Sequence, residues 1–273
     1  MTNDDRPQLA VIGGSGFYTF LDGAEDVEVS TPFGDPSSPV AVGTVETDAG
    51  PRRVAFLPRH GRDHQFPAHK VNYRANLWAL RSLGVRWILA PCAVGGLQAE
   101  HGPGTLVVPD QLVDRTTGRT QTFYDTGANH VSFGDPYSPA LRTALLDGLR
   151  GAGQEPVDGG TMVVIEGPRF STRAESQWYA RQGWDVVNMT GHPEAVLARE
   201  LAMAYATVAL VTDHDAGVET GTSVNQEDVF AVFGRYTDLL RDTLRGVAAT
   251  VDLDGDDPAF SALDGLHLPF ELP

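Results

Sequence analysis

LVTDHDAG, Leu210 to Gly217, carries two aspartates two residues apart at the end of an apolar run, and no other segment of this 273-residue chain is chemically so pointed. In extended geometry Asp213 and Asp215 project to one side of the strand and His214 to the other. Two close carboxylates at the mouth of a sheet raise one pKa, so one can stay protonated and donate to a leaving group. Turn or cap formation is the competing use of such a pair.

Anion-binding chemistry is spread over four more segments. VIGGSGF, Val11 to Phe17, runs a strand into glycines whose amides can approach an anion closely, and Ser15 adds a hydroxyl donor. A dinucleotide fingerprint would need a glycine where Thr19 stands, and the Gly-Lys-Ser/Thr of a P-loop is missing. LPRHG, Leu57 to Gly61, ends a strand with the planar donor fork of Arg59 beside His60. CAVGG, Cys92 to Gly96, follows a buried strand and offers small residues and free amides at Cys92 and Ala93. Cys92 has no adjacent base and reads as a small core residue. VVNMTGHPE, Val186 to Glu194, brings Thr190 to a helix start, either as an anion ligand or as an ordinary cap. Separately, Phe170 in IEGPRFSTRAES sits at a strand-to-helix junction, where its ring can stack on a base or pack in the core.

Short β-branched runs must position these groups: 9–12, 40–45, 54–57, 87–90, 105–108, 162–165, 186–187 and 207–211. Helical patterns lie between them, over 72–83, 171–182 and 193–205. The clearest begins after Asn225 as cap and carries Val229, Val232, Phe233, Tyr236, Leu240, Leu244 and Val247 at helical spacing. The alternation predicts an α/β fold, a single domain over 1–273 with a central, mostly buried mixed sheet flanked by helices. Segments 115–138 and 252–273 read as loops, the latter a C-terminal tail.

The formal charge of -16 argues against a nucleic-acid backbone as partner, which needs a basic surface. No stretch approaches the roughly 20 apolar residues of a membrane helix. The polar start, MTNDDRPQ, is unlike a secretory signal, and the single cysteine cannot form an internal disulfide or a cysteine zinc cluster. A cytoplasmic setting is expected.

Taken together the chain resembles the trimeric branch of the nucleoside phosphorylases, from Leu9 to about Leu244. The resemblance is carried in order by VIGGSGF, TPFG (Thr31 to Gly34), RHG, KVNYRAN (Lys70 to Asn76), DQLVDRT, GTMVVIEGPRFSTRAES, NMT..PE and TDHD. It implies phosphorolysis of a purine nucleoside to free base and a ribose 1-phosphate, with inorganic phosphate as co-substrate and no metal or organic cofactor. By resemblance Ser15, Arg59, His60, Cys92, Ala93 and Thr190 hold phosphate, and Met189 packs beneath the ribose. Phe170 faces base or sugar, Asp213, His214 and Asp215 engage the purine, and Thr172 and Asn225 tune specificity. His130 would reach a neighbouring subunit's site in a homotrimer. Cys92 and Gly96 replace common hydroxyl residues, so phosphate contacts there would use backbone amides, and His214 replaces a common aromatic.

Carboxylates accept from a 6-amino group, whereas a 6-oxo group would prefer an amide, so the aspartates favour adenine nucleosides; that the nucleoside is a 5′-methylthio one is what the resemblance implies. Leu266, Leu268, Phe270 and Leu272 are expected either to close an apolar 5′ pocket or to pack on the surface. A purine nucleoside phosphorylase acting on adenosine, inosine or guanosine, a hydrolytic nucleosidase and a non-catalytic nucleoside-binding protein are the alternatives.

Overall fold

The computed structural model describes residues 6–14, 17, 20–48, 50–216 and 226–273. Ser15 and Asn225, expected at the phosphate and specificity positions, lie outside the described residues. The chain runs β1 (Leu9–Gly13), β2 (Glu25–Val27), β3 (Val40–Thr47), β4 (Gly50–Pro58), α1 (Tyr73–Ser82), β5 (Trp87–Leu89), β6 (Cys92–Gly96), β7 (Leu106–Val108) and β8 (Gln111–Arg115). It continues through α2 (Pro139–Gly151), β9 (Val157–Asp158), β10 (Thr161–Ile165), α3 (Arg173–Arg181), β11 (Val186–Asn188), α4 (Gly191–Glu200), β12 (Ala204–Ala206), β13 (Ala209–His214) and α5 (Gln226–Thr250).

The mixed α/β architecture is as expected, but the strands form two sheets rather than one. One has the order β12-β5-β1-β4-β3-β2 and the other β8-β10-β11-β6-β13-β7-β9. Two chain segments cross directly between them, β5 into β6 and β12 into β13. The amide of Ala90 donates to Ala206 (2.9 Å) and that of Cys92 to Val208 (3.0 Å), which keeps the segments side by side through the join. Pro91 lies between them without an N–H to give, a natural place for a ladder to break.

β1 is fully buried because it is paired in parallel on both edges and covered on both faces. Leu9 and Val11 pack with Leu141 and Leu145 of α2 and Leu240 and Leu244 of α5. Ala10 and Ile12 face the other way, toward Leu77 and Leu80 of α1 and Leu197 of α4. Helix starts follow local chemistry: the side chain of Asn72 accepts from Ala75 N at α1, and Thr172 and Glu175 form a reciprocal capping box at α3.

Several expectations are corrected. Cys92 to Gly96, expected to offer free amides, is itself a strand and pairs with both β11 and β13. Its glycines reflect crowding, since a Cβ at Gly96 would lie 2.0 Å from the His101 carbonyl oxygen. The helical reading of 193–205 fails at its end. α4 stops at Glu200, Ala202 turns left-handed (φ 51), and Ala204 to Ala206 join the sheet beside β5. α2 went unread, although Ser138 caps it and Pro139 stands at its start. The C-terminal tail forms no wall of the cavity described below: Phe270 packs on Trp78, Phe123 and Tyr124.

Candidate active site

A cavity of about 390 Å³ opens where β1, β4, β10, β11 and β13 end, with β6 along its floor and α5 at one side. Its polar corner begins with Arg59, the residue that follows β4. The guanidinium is buried and gripped by Glu194, with Nε 2.6 Å from Oε2 and Nη2 2.7 Å from Oε1. Glu194 also accepts from the Tyr205 hydroxyl at 2.8 Å. Nη1 has no partner among the described residues and faces Gly14, where a Cβ would sit 3.1 Å away. Arg59 lines the cavity, and Nη1 is its nitrogen left without a partner among the described residues. Glu194 and Tyr205 escaped sequence reasoning; the first lies inside the VVNMTGHPE segment, but nothing local indicates that it reaches back 135 positions.

His60 lines the same corner. Its Nδ1 lies 2.8 Å from the Phe66 carbonyl oxygen, and its ring stacks on His64 with centroids 4.8 Å apart. Burial, reinforced by the neighbouring Arg59 charge, pushes its pKa down to about 4.

Thr190 and Ala93 complete the polar corner, joined by Asn188. The Asn188 side-chain oxygen accepts from the amides of Thr190 and Gly191, each at 2.7 Å, and more distantly from the Thr190 hydroxyl at 3.3 Å. Its nitrogen donates to the Ala93 carbonyl at 3.2 Å. Asn188 thus caps this turn, and Thr190 makes no side-chain cap bond of its own. Cys92 also borders the cavity, but its amide is spent on Val208 and its thiol, held up near a pKa of about 11 by burial, contacts Thr207 at 3.4 Å. The expectation of a free amide at Cys92 is therefore corrected.

Asp213 and Asp215 both face the cavity, as their spacing predicts, past a register shift between Val211 and Asp213. Burial raises the Asp213 pKa to about 6; Thr212, donating at 2.8 Å, opposes the rise and the Asp215 charge assists it. Burial raises Asp215 as well, against the hydroxyls of Ser176 and Ser171. His214 points away and covers Gly102, where a Cβ would lie 3.4 Å from Nε2, so it forms no part of the cavity wall.

Met189 and Phe170 form the facing wall, Phe170 still 37% exposed at the rim. Gly167 makes their approach possible: it has φ 65, and a Cβ there would lie 2.6 Å from Met189 Sδ. Arg119, from a segment read only as loop, ties both supporting turns together. It donates to the carbonyls of Met189 (2.9 Å), His192 (2.7 Å) and Glu166 (2.7 Å) and pairs with the Glu166 carboxylate at 3.2 Å. The apolar end of the cavity is built by Val229 and Phe230 of α5, whose ring meets His64.

Two further expected residues are placed elsewhere. Thr172 is exposed and occupied as the α3 cap rather than lining the cavity. His130 is exposed on the segment between β8 and α2 and is not part of the cavity of its own chain.

The model of the phosphorylase superfamily matches residues 8–247. A protein of Mycolicibacterium smegmatis named S-methyl-5′-thioadenosine phosphorylase is 58% identical, over 97% of this chain and 99% of its own. One of Streptomyces coelicolor named purine nucleoside phosphorylase is 55% identical over the whole of both chains. Among solved structures, a methylthioadenosine phosphorylase from an antarctic soil metagenomic library superimposes with a TM-score of 0.87 at 38% identity, over 96% of this chain and 92% of the other. With its matching family model, its near-full-length relatives and its shared fold, this chain belongs to the phosphorylase superfamily.

Proposed function

We propose that this protein splits S-methyl-5′-thioadenosine with inorganic phosphate, giving adenine and 5-methylthioribose 1-phosphate. One observation carries the reading: a single cavity holds the Arg59 and His60 corner, the Asp213 and Asp215 pair, and an apolar end at Val229 and Phe230. An anion, a purine and a 5′ methylthio group each find matching chemistry there, and several relatives bear the corresponding name.

Breaking the glycosidic bond leaves positive charge on the sugar and negative charge on the departing purine. Phosphate held at Arg59 stabilises the first and attacks the anomeric carbon. Asp213, protonated more readily than an ordinary aspartate, hydrogen-bonds the base and gives its proton to the purine as the bond breaks, a contribution of roughly 100- to 10,000-fold. Met189 supports the ribose from the wall braced by Arg119. In this reading the protein requires no metal or organic cofactor, works in the cytoplasm, and assembles as a homotrimer in which His130 serves a neighbour.

Phosphorolysis of adenosine, inosine or guanosine is the second reading, favoured by the name of the Streptomyces coelicolor relative. The decisive experiment follows base release from methylthioadenosine, adenosine, inosine and guanosine with and without phosphate. Methylthioadenosine should be cleaved most efficiently and only with phosphate or arsenate present. Equal turnover in phosphate-free buffer would make the protein a nucleosidase.

A further inference from the structure

We propose that His60 reads the hydroxyl group of hydrogen phosphate, so that the polar corner selects an oxyanion carrying a proton over one that carries none. The proposal rests on the phosphorolysis reading and specifies how that site recognises its inorganic substrate.

The tautomer of His60 is fixed by its backbone contact. His60 Nδ1 is 2.8 Å from the Phe66 carbonyl oxygen, and a carbonyl only accepts, so Nδ1 carries the hydrogen. Nε2 can then hold a hydrogen only if the ring is cationic. The surroundings oppose that: the ring is buried, Arg59 is its sequence neighbour, and His64 stacks on it. Among the described residues, the charged and titratable groups at this end of the cavity are Arg59 with its partner Glu194, His64 and Cys92, with Asp213 and Asp215 on another wall. A pKa near 4 agrees with a neutral ring at cellular pH. The polar atom His60 has left to offer is therefore an acceptor.

Its neighbour offers the opposite. Glu194 occupies Nε and Nη2 of Arg59, and Nη1 remains as a donor. Arg59 and His60 both line this corner, so it presents a donor and an acceptor. Dianionic hydrogen phosphate matches both, bare oxygens toward Arg59 and its P–O–H toward His60. Sulfate has the same charge and shape but would set lone pair against lone pair. Sites built to bond a substrate hydroxyl discriminate strongly against analogues lacking it, because the buried partner is left unpaired.

Pinning the hydroxyl also directs the reaction, because the oxygens left for the anomeric carbon are the unprotonated ones. One of them forms the new O–C1′ bond, and the C1′–N9 electron pair leaves with the purine, which takes the Asp213 proton. The ester departs still carrying its hydroxyl hydrogen, lost afterwards to water, and solvent reprotonates Asp213.

The test measures anion binding by calorimetry on the full-length protein at pH 8, where phosphate, arsenate, sulfate and monofluorophosphate are all dianions. Fluorophosphate is the sharpest probe, since fluorine replaces the hydroxyl at nearly equal size. Phosphate and arsenate should bind at least about 10-fold more tightly than sulfate and fluorophosphate. In His60→Ala the gap should close to about 3-fold or less, through weaker phosphate binding while sulfate binding is retained, which also reports an intact corner. Equal binding of all four anions to the native protein, binding of none, or an equal loss for all four in the variant would overturn the proposal. Base release without phosphate would instead refute the phosphorolysis reading, leaving the anion preference to be judged by the binding data.

Discussion

Glu194 holds Arg59 by two parallel bonds of 2.6 and 2.7 Å, and neither side chain reaches solvent. The pair fixes the guanidinium plane and balances its charge, so an anion bound there would meet an aimed donor rather than a loose cation. Removing one partner of such a pair strands a buried charge, at roughly 3–5 kcal/mol. Arg59→Ala should therefore lose stability on that scale and raise the phosphate KM far more than the nucleoside KM, by about 2–3 kcal/mol of binding. The double variant Arg59→Met with Glu194→Gln should recover stability in denaturant titrations without recovering phosphate affinity. A nucleoside KM that moves alone would show that Arg59 is not at the anion.

Asp213→Asn keeps size and shape but removes the transferable proton and reverses the hydrogen-bond match at purine position 6. Methylthioadenosine cleavage should fall by around 100-fold or more. Inosine or guanosine cleavage should fall less, or rise. The ratio of kcat/KM values for methylthioadenosine and inosine, measured in both forms, decides the point; an unchanged ratio means the aspartates do not read the base.

The raised Asp213 pKa has two pH consequences. Below about pH 6 the free enzyme holds this carboxyl protonated, so kcat/KM should decline as pH rises through 6, and Asp213→Asn should lack that limb. For stability, a folded pKa of about 6 against an ordinary 3.8 means the native state binds this proton more firmly than the unfolded chain does. The contribution is favourable and fully present below 3.8, and is lost as pH rises through about 6. Asp213→Asn should therefore be more stable than the native protein at pH 8, by on the order of 1–3 kcal/mol, and not at pH 3.5. Equal denaturation midpoints at pH 8 would contradict the burial argument.

Phe230 marks the apolar end of the cavity. Phe230→Ser should lower kcat/KM for methylthioadenosine by roughly 10-fold while changing adenosine about 3-fold or less, as expected from lost apolar contact with one methylthio group. Parallel losses for both nucleosides would place the 5′ group elsewhere.

His130, exposed and outside the cavity lining of its own chain, should matter only in the assembled protein. Light scattering should give three times the mass of one chain, and His130→Ala should raise the nucleoside KM without moving Tm. A fully active monomer would remove the cross-subunit role.

The catalytic framework was legible where local chemistry determines local structure. The β-branched runs of β1, β4, β10 and β13 and the two-residue spacing of Asp213 and Asp215 give their geometry directly. CAVGG does not read as a strand because it carries two glycines, whereas Gly96 is small to clear the His101 carbonyl on a crowded strand. The helix of α4 was carried too far since Ala204, Tyr205 and Ala206 suit a helix as well as a strand, and only pairing with β5 decides. Glu194, Asn188 and Arg119 act on atoms far away in sequence, and of the two roles open to the tail it takes the packing one, while α5 supplies the apolar end.

The two crossings between the sheets set how the cavity floor can open. Cys92 and Ala93 continue the segment that leaves β5, Asp213 lies near the end of the one that leaves β12, and both segments are bonded together through the join. Fraying this floor would strip Ala90 from Ala206 and Cys92 from Val208, which would open the buried centre that packs around Leu89 and Leu210. Amide protons of Val94 and Val211 should accordingly exchange with deuterium only on the timescale of global unfolding, while those of the Phe170 turn exchange sooner. Thermal inactivation at the floor and melting of the fold then become one event.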